Sequence, residues 1–263
     1  MCKICPLFSG SEGNSTYIKT KNLSFLIDAG RSCRQIENSI IKNGFDPCDI
    51  KFIFITHEHI DHIRGLKVFA KKFGTKIYAS KGTISELENK NILDKEIKYE
   101  IIEKSGININ NISIMPFEIS HDCAQGYGYS FLLKNKLKIS FCSDLGIISH
   151  EVLNSIIGSD LIFIESNHDI EMLKNGPYPK FLKNRILSDI GHLSNSSCAE
   201  ILNKLALNGT RKFVLCHLSG TNNTPEIAYN SALKILKNTG IKNFELYIAP
   251  KENTNKFNIN INI

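Results

Sequence analysis

The chain has 263 residues, 42% hydrophobic and 22% charged, with a formal net charge of +6. That length suits one globular domain with a sizeable core, and the balance excludes a disordered, collagen-like or coiled-coil chain. No apolar run approaches the roughly 20 residues that span a bilayer, and the net positive charge favours a polyanionic partner over a cationic one.

In chain order, Ile4 to Phe8, Ser15 to Thr20 and Leu23 to Asp28 are predicted strands, apolar or β-branched and separated by Gly, Asn and Ser clusters. Arg34 to Lys42 carries Ile36, Ile40 and Ile41 at helical spacing. Lys51 to Ile55 is nearly all apolar, as a strand buried on both faces would be. A helix is expected to begin near Asp61 with Leu66, Phe69 and Ala70 turned inward, followed by a strand over Lys76 to Ala79. The stretch from Ile112 to Cys142 reads as a β-meander. Thereafter strands at Leu161 to Ser166, Lys212 to His217 and Phe244 to Ile248 alternate with helices near Ser196 to Leu207 and Glu226 to Leu236. Phe257 to Ile263 alternates Ile with Asn as a final strand. No repeat or linker interrupts this order, so a single domain over 1–263 with two sheets and covering helices is expected.

The segment Thr56-His57-Glu58-His59-Ile60-Asp61-His62 places three of the chain's eight histidines and an aspartate within six positions, directly after a buried strand. Residues i and i+2 of an extended loop can face the same way, so His57 and His59 can share an ion. Asp61 and His62, at the start of a helix, face a neighbouring position, and the helix dipole favours the carboxylate there. Imidazole and carboxylate donors suit Zn, Mn or Fe rather than Ca. Three further donors, His121, Asp144 and His217, each follow a predicted strand, where loops gather into sites. Two cations about 3.5–4 Å apart would bring a shared water to near-neutral pKa and clamp a phosphate between them.

The pattern HxHxDH, then a distant His, an Asp and a final His, resembles the metallo-β-lactamase fold superfamily. The resemblance implies an α/β (α+β) fold, a four-layer αββα sandwich of two mixed sheets flanked by helices. It also implies a dinuclear centre, with one ion on His57, His59 and His121, the other on Asp61, His62 and His217, and Asp144 bridging. Across nearly its whole length the chain is similar to the YycJ/WalJ/VicX branch. The segments that carry this are Ser9-Gly10-Ser11-Glu12-Gly13-Asn14-Ser15, Asp28-Ala29-Gly30, Glu165-Ser166-Asn167-His168-Asp169, Gly176-Pro177-Tyr178-Pro179, Gly191-His192-Leu193-Ser194-Asn195 and His217-Leu218-Ser219. That branch implies a metal-dependent 5′-to-3′ exonuclease acting on DNA; the donor chemistry suits two divalent ions, Zn or Mn with Fe also accepted, with a metal-bridging hydroxide as nucleophile, and a cytoplasmic location is expected. His192 matches a histidine that serves beside the metals in the RNase Z group.

On this reading Asp61 orients or deprotonates the water and His192 protonates the leaving 3′-oxygen. Ser197 and Glu200 are expected to form a capping box for the following helix. Its N–H groups, with Ser194 and Asn195, would face a phosphate. Asn14, Ser15 and His168 are further candidate substrate contacts; Glu165 and Asp169 either orient His168 or His192 or are solvated, and His150 is assigned no role. Cys2 and Cys5, a lone CxxC, and Cys142 and Cys216 are expected as buried thiols in a reducing compartment. The opening Met1 to Gly10 lacks the basic and apolar regions of a secretory signal, which fits that location.

Three other readings stay open. A glyoxalase II-like or lactamase-like hydrolase of small esters or thioesters is opposed by the missing export signal, and by the 46 residues after His217, little room for a thioester-binding domain. A di-iron oxidoreductase is opposed by His59, where that group usually has an acid. A non-catalytic scaffold is opposed by the intact donor set. The 73 residues from Asp144 to His217 leave no room for the insertion of β-CASP nucleases.

Overall fold

Parallel strands buried on both faces set the frame, because only continuous Ile, Leu, Val and Phe runs can fill both sides of a covered sheet. The computed structural model describes residues 2–133 and 136–261. Its strands are β1 (Cys2–Phe8), β2 (Ser15–Lys19), β3 (Ser24–Ile27), β4 (Ile50–Phe54), β5 (Lys76–Ala79), β6 (Tyr99–Ile101), β7 (Ile107–Ile109), β8 (Ile112–Glu118), β9 (Tyr127–Leu133), β10 (Lys138–Cys142), β11 (Leu161–Glu165), β12 (Lys212–Cys216), β13 (Glu245–Ile248) and β14 (Ile259–Ile261). The helices are α1 (Cys33–Lys42), α2 (Ile60–Ile63), α3 (Leu66–Phe73), α4 (Lys81–Asn89), α5 (His150–Ile156), α6 (Ile170–Asn175), α7 (Lys180–Ile186), α8 (Asn195–Leu207) and α9 (Pro225–Asn238). Two mixed seven-stranded sheets run in the orders β14-β1-β2-β3-β4-β5-β6 and β13-β12-β11-β10-β9-β8-β7. None of the described helices is long and apolar enough to cross a membrane.

The chain resolves into two compact units. The first comprises Met1–Asn111, Cys123–Tyr127 and Pro250–Ile263. Here β3, β4 and β5 are parallel, while β1 and β2 return antiparallel and β14 closes against β1. The core gathers Leu26, Ile53 and Ile77 from the sheet with Ile36, Ile40, Leu66 and Phe69 from the helices. The second unit comprises Ile112–Asp122 and Gly128–Ala249. Its strands β10, β11, β12 and β13 are parallel, and β11 is buried at every position. Ile162, Ile164, Phe213 and Leu215 pack there with Cys198, Leu202 and Leu205 of α8 and Ala228, Ala232 and Leu236 of α9.

Three expectations need correction. The helix expected from Asp61 is two helices: the Gly65 N–H leaves the helical ladder for the Ala29 carbonyl, 2.9 Å away, and the loop lies so close that a Cβ on Gly65 would sit 2.2 Å from the Arg31 carbonyl oxygen. The cap of α8 is Ser194, whose hydroxyl accepts from the Ser197 N–H at 3.1 Å, so Ser197 and Glu200 lie inside the helix rather than forming a capping box. The final strand begins at Ile259 rather than at Phe257 and is described to Ile261; Asn262 and Ile263, also expected in it, lie outside the described residues. Helices α4, α6 and α7 were not anticipated, their apolar residues being too few to give a period. Cys2, Cys5, Cys142 and Cys216 are buried as expected, and burial raises all four thiols above their usual pKa.

Candidate metal centre

In a sheet of parallel strands, side chains that follow the carboxyl ends emerge along one edge, where ligands bind. Both units use this rule. In the first, Asp28 follows β3, and His57 lies three residues beyond β4. The rings of His57 and His59 have centroids 4.5 Å apart, and those of His57 and His62 4.1 Å apart. The expected cluster of His57, His59, Asp61 and His62 is therefore gathered on one turn.

Beneath it sits a carboxylate that sequence reading placed only in a matching segment. Asp28 is buried in the left-handed region, at φ 62°, with its Oδ2 2.8 Å from His62 Nδ1. It also accepts from the Thr56 N–H at 2.9 Å and the Thr56 hydroxyl at 3.0 and 3.1 Å. Burial raises the Asp28 pKa, against the lowering effect of His62 and Thr56. The contact fixes the His62 tautomer with its proton on Nδ1, leaving Nε2 as the lone-pair nitrogen, the usual way a metal-binding imidazole is oriented. Asp61 Oδ2 lies 3.5 Å from that Nε2. The Asn14 amide nitrogen is 3.1 Å from it and donates to Asp61 Oδ2 at 3.3 Å.

Close approach makes Gly30 obligatory. Its N–H donates to the Asn14 carbonyl, and a Cβ here would stand 1.6 Å from the Asp61 carbonyl oxygen, inside any tolerable contact. Gly30→Ala is expected to cost about 1–3 kcal/mol by forced displacement, or about 2–12 °C in melting temperature. Thermal melts check this, and a variant as stable as wild type contradicts the packing. Glu58 was also passed over: it is buried, and its Oε1 accepts from the Ala124 N–H at 2.7 Å, pinning the 123–127 segment.

In the second unit, Asp144 follows β10, Glu165 ends β11 and His217 follows β12. Asp144 and His217 both adopt left-handed backbone, at φ 58° and 53°, a strain that accumulates at functional sites. Glu165, fully buried, is the hub. Its Oε1 lies 2.8 Å from His192 Nδ1 and 2.9 Å from His217 Nδ1, and its Oε2 accepts from the N–H groups of Leu145 and Leu193 at 3.1 Å. Asp144 Oδ1 is 2.9 Å from the same His217 nitrogen. Burial would raise the Glu165 carboxyl, but His192 and His217 hold it ionised, below the ordinary range. Burial would in turn lower His192, and the charge and hydrogen bond of Glu165 raise it above the ordinary histidine value. Asp144, Glu165, His192 and His217 each offer an atom within 4.8 Å of the others'. The His121 Nδ1 donates to the Gly191 carbonyl at 3.2 Å, and its ring centroid is 5.2 Å from that of His192. Glu165 is thus an orienting group for His192 and His217 rather than a solvated one.

Four of the five expected substrate contacts are buried. The Ser15 hydroxyl donates to the Asp28 carbonyl at 2.9 Å, and the Ser194 hydroxyl is the helix cap. Asn195 accepts from the Ser166 hydroxyl at 2.6 Å and donates to the Asn223 side chain at 2.9 Å. His168 is 1% exposed, neither ring nitrogen has a hydrogen-bond partner among the described residues, and burial lowers its pKa to about 4. Asn14, half-buried, is turned to Asp61 and His62 as described.

The donors present, imidazoles with one nitrogen anchored and carboxylates beside them, fit divalent transition metals. The sequence matches the family model of the β-lactamase superfamily domain over residues 24–218. It is 38% identical over 226 residues to the exodeoxyribonuclease WalJ of Streptococcus pneumoniae, covering 85% of this chain and 84% of that one. To the exodeoxyribonuclease YycJ of Bacillus anthracis it is 35% identical over 237 residues, 89% of each. The metallo-β-lactamase fold protein YhfI of Bacillus subtilis superposes with a TM-score of 0.75 at 15% identity, covering 98% of both chains.

Proposed function

Because the chain belongs to the β-lactamase superfamily, and within it to the family of the exodeoxyribonucleases WalJ and YycJ, we propose that it is a metal-dependent hydrolase that degrades DNA from a 5′ end. The αββα fold read from the sequence agrees with the two mixed sheets and the superposition on a metallo-β-lactamase fold. The family model runs through both compact units, which supports reading them as one domain. In this reading the enzyme meets its DNA in the cytoplasm.

The observation that carries the reading is a donor set of five imidazoles and two carboxylates in which three of the imidazoles are individually anchored: His62 by Asp28, His217 by Asp144 and Glu165, and His121 by the Gly191 carbonyl. In this reading His57, His59 and His121 hold one divalent ion, Asp61, His62 and His217 a second, and Asp144 serves both, with Zn or Mn as the metals and Fe also accepted. The bound ions would supply an activated water and offset the charge that develops on the phosphate oxygens. Asp61, with its carboxylate held by the Asn14 amide, accepts the water's proton. His192, whose proton affinity the Glu165 carboxylate raises, donates a proton to the departing 3′-oxygen. Thioester hydrolysis and di-iron redox chemistry find less support, since the relatives that match over most of the chain are named as exodeoxyribonucleases.

The purified chain with Mn²⁺ is expected to release mononucleotides from 5′-phosphorylated duplex DNA, and a chelator is expected to stop it. Inactivity on DNA and RNA alongside turnover of a thioester would contradict the proposal.

A further inference from the structure

Resting on the nuclease reading, we infer that α7 and the residues after it form a ledge on which a DNA strand lies, with a base stacked on Phe181 and phosphates held by Lys180 and Lys183. Phe181 is the most exposed large hydrophobic side chain among the described residues, at 74%, and Leu187 and Ile190 of the same segment are exposed at 44% and 48%. The charge around them chooses the occupant. The segment 170–191 holds four cations, Lys174, Lys180, Lys183 and Arg185, against Glu171 and Asp189. Arg185 is spent on a bidentate pair with Asp122, at 2.5 and 3.0 Å, and Lys174 lies 3.4 Å from Glu171. Lys183 donates to the Lys174 carbonyl, and neither it nor Lys180 meets a carboxylate among the described residues. An exposed aromatic between cations without carboxylate partners is the arrangement that binds single strands, stacking on any base and neutralising the phosphates beside it.

The ledge is fixed to the loops that carry the proposed metal and acid residues. The Asp122 that grips Arg185 adjoins His121. The His192 N–H donates to the Ile186 carbonyl at 3.0 Å, and the Ser120 hydroxyl to the Asp189 carbonyl at 2.7 Å. Gly146 and Gly191 pack so tightly that a Cβ on either would lie 2.3 Å from backbone atoms of 185–189. A strand resting on Phe181 therefore keeps a set position relative to His121, Asp144 and His192.

The test uses the full chain loaded with Mn²⁺. Single-stranded fluorescent oligonucleotide is titrated into Asp61→Asn alone, so that the DNA survives, and into the same variant combined with Phe181→Ala, with Phe181→Trp or with Lys180→Ala/Lys183→Ala. The same substitutions, with Asp61 intact, are assayed on DNA and on bis(p-nitrophenyl) phosphate, a diester too small to span the ledge. Phe181→Ala is expected to weaken oligonucleotide binding about tenfold, and to lower the ratio of kcat/KM on DNA to that on the small diester by the same factor. Phe181→Trp is expected to restore both. The double variant is expected to reduce the slope of log affinity against log salt by about 1.4. Unchanged binding by Phe181→Ala in an enzyme that cleaves DNA overturns the ledge alone, as does an equal loss on both substrates, or a change of oligomeric state with DNA affinity intact. A wild type that cleaves neither substrate overturns the nuclease reading and the ledge with it.

Discussion

Replacing Asp61 by asparagine is expected to lower turnover of DNA by about 100- to 10,000-fold, the range that removing a positioned proton acceptor costs, while the protein still folds. The side chain is only 18% exposed, yet its carboxylate touches Asn14 and His62 rather than the apolar core. An asparagine keeps the shape and one acceptor oxygen but has neither the charge to help hold a cation nor the basicity to take a proton. Circular dichroism and a melting temperature near wild type establish the fold, and single-turnover kinetics on end-labelled DNA measure the loss. Wild-type rates in the folded variant would contradict the role given to Asp61.

The second large effect is expected at Glu165, where stability and chemistry fail together. This one buried carboxylate anchors two imidazoles and two backbone N–H groups. Glu165→Gln removes the charge that compensates His192 and His217 inside the protein. Breaking a buried pair of this kind costs about 3–5 kcal/mol, or about 6–20 °C in melting temperature for a chain of this size. The sign of the pH dependence follows from the direction of the shift. The folded carboxyl titrates below its unfolded value, so its contribution is full above the ordinary carboxylate range near pH 4 and is lost as pH falls below it. In metal-free protein, the melting gap between wild type and Glu165→Gln should therefore be wide at pH 7 and narrow on acidification from about pH 4 towards pH 2. A constant gap would contradict the ionised state of Glu165. Activity should fall as well, because the group that raises His192 is gone; a variant with wild-type kcat would show that His192 acts without it.

How much of this was legible beforehand depended on the kind of signal. The turn from Thr56 to His62 was readable because three imidazoles and a carboxylate in six positions leave little other use for those residues, and the strand before them sets their place. His121, Asp144 and His217 were readable as strand-end donors, since a short apolar run followed by a polar residue marks a carboxyl end. Asp28 and Glu165 were harder. Each is a single acid at a strand end whose partner lies 34 or 27 residues away, so only the fold brings Asp28 to His62 and Glu165 to His192. Gly65 splits the helix after Asp61 through a hydrogen bond to Ala29, a tertiary contact that no local period reports. Ser194 caps α8 because the chain enters the helix directly from its bridge with His168, whereas Ser197 and Glu200 offered the better local pattern. In these last two cases long-range backbone hydrogen bonding decided against a local preference.

The central claim, that these imidazoles and carboxylates together hold divalent ions for phosphodiester cleavage, is tested most directly on one purified preparation. Metal content is measured alongside hydrolysis of 5′-labelled duplex DNA, before and after chelation and readdition of Mn²⁺. About two metal equivalents per chain are expected, with mononucleotide release that disappears and returns with the metal. A folded preparation that retains less than one equivalent under saturating metal, or that is fully loaded and leaves DNA intact, would contradict it.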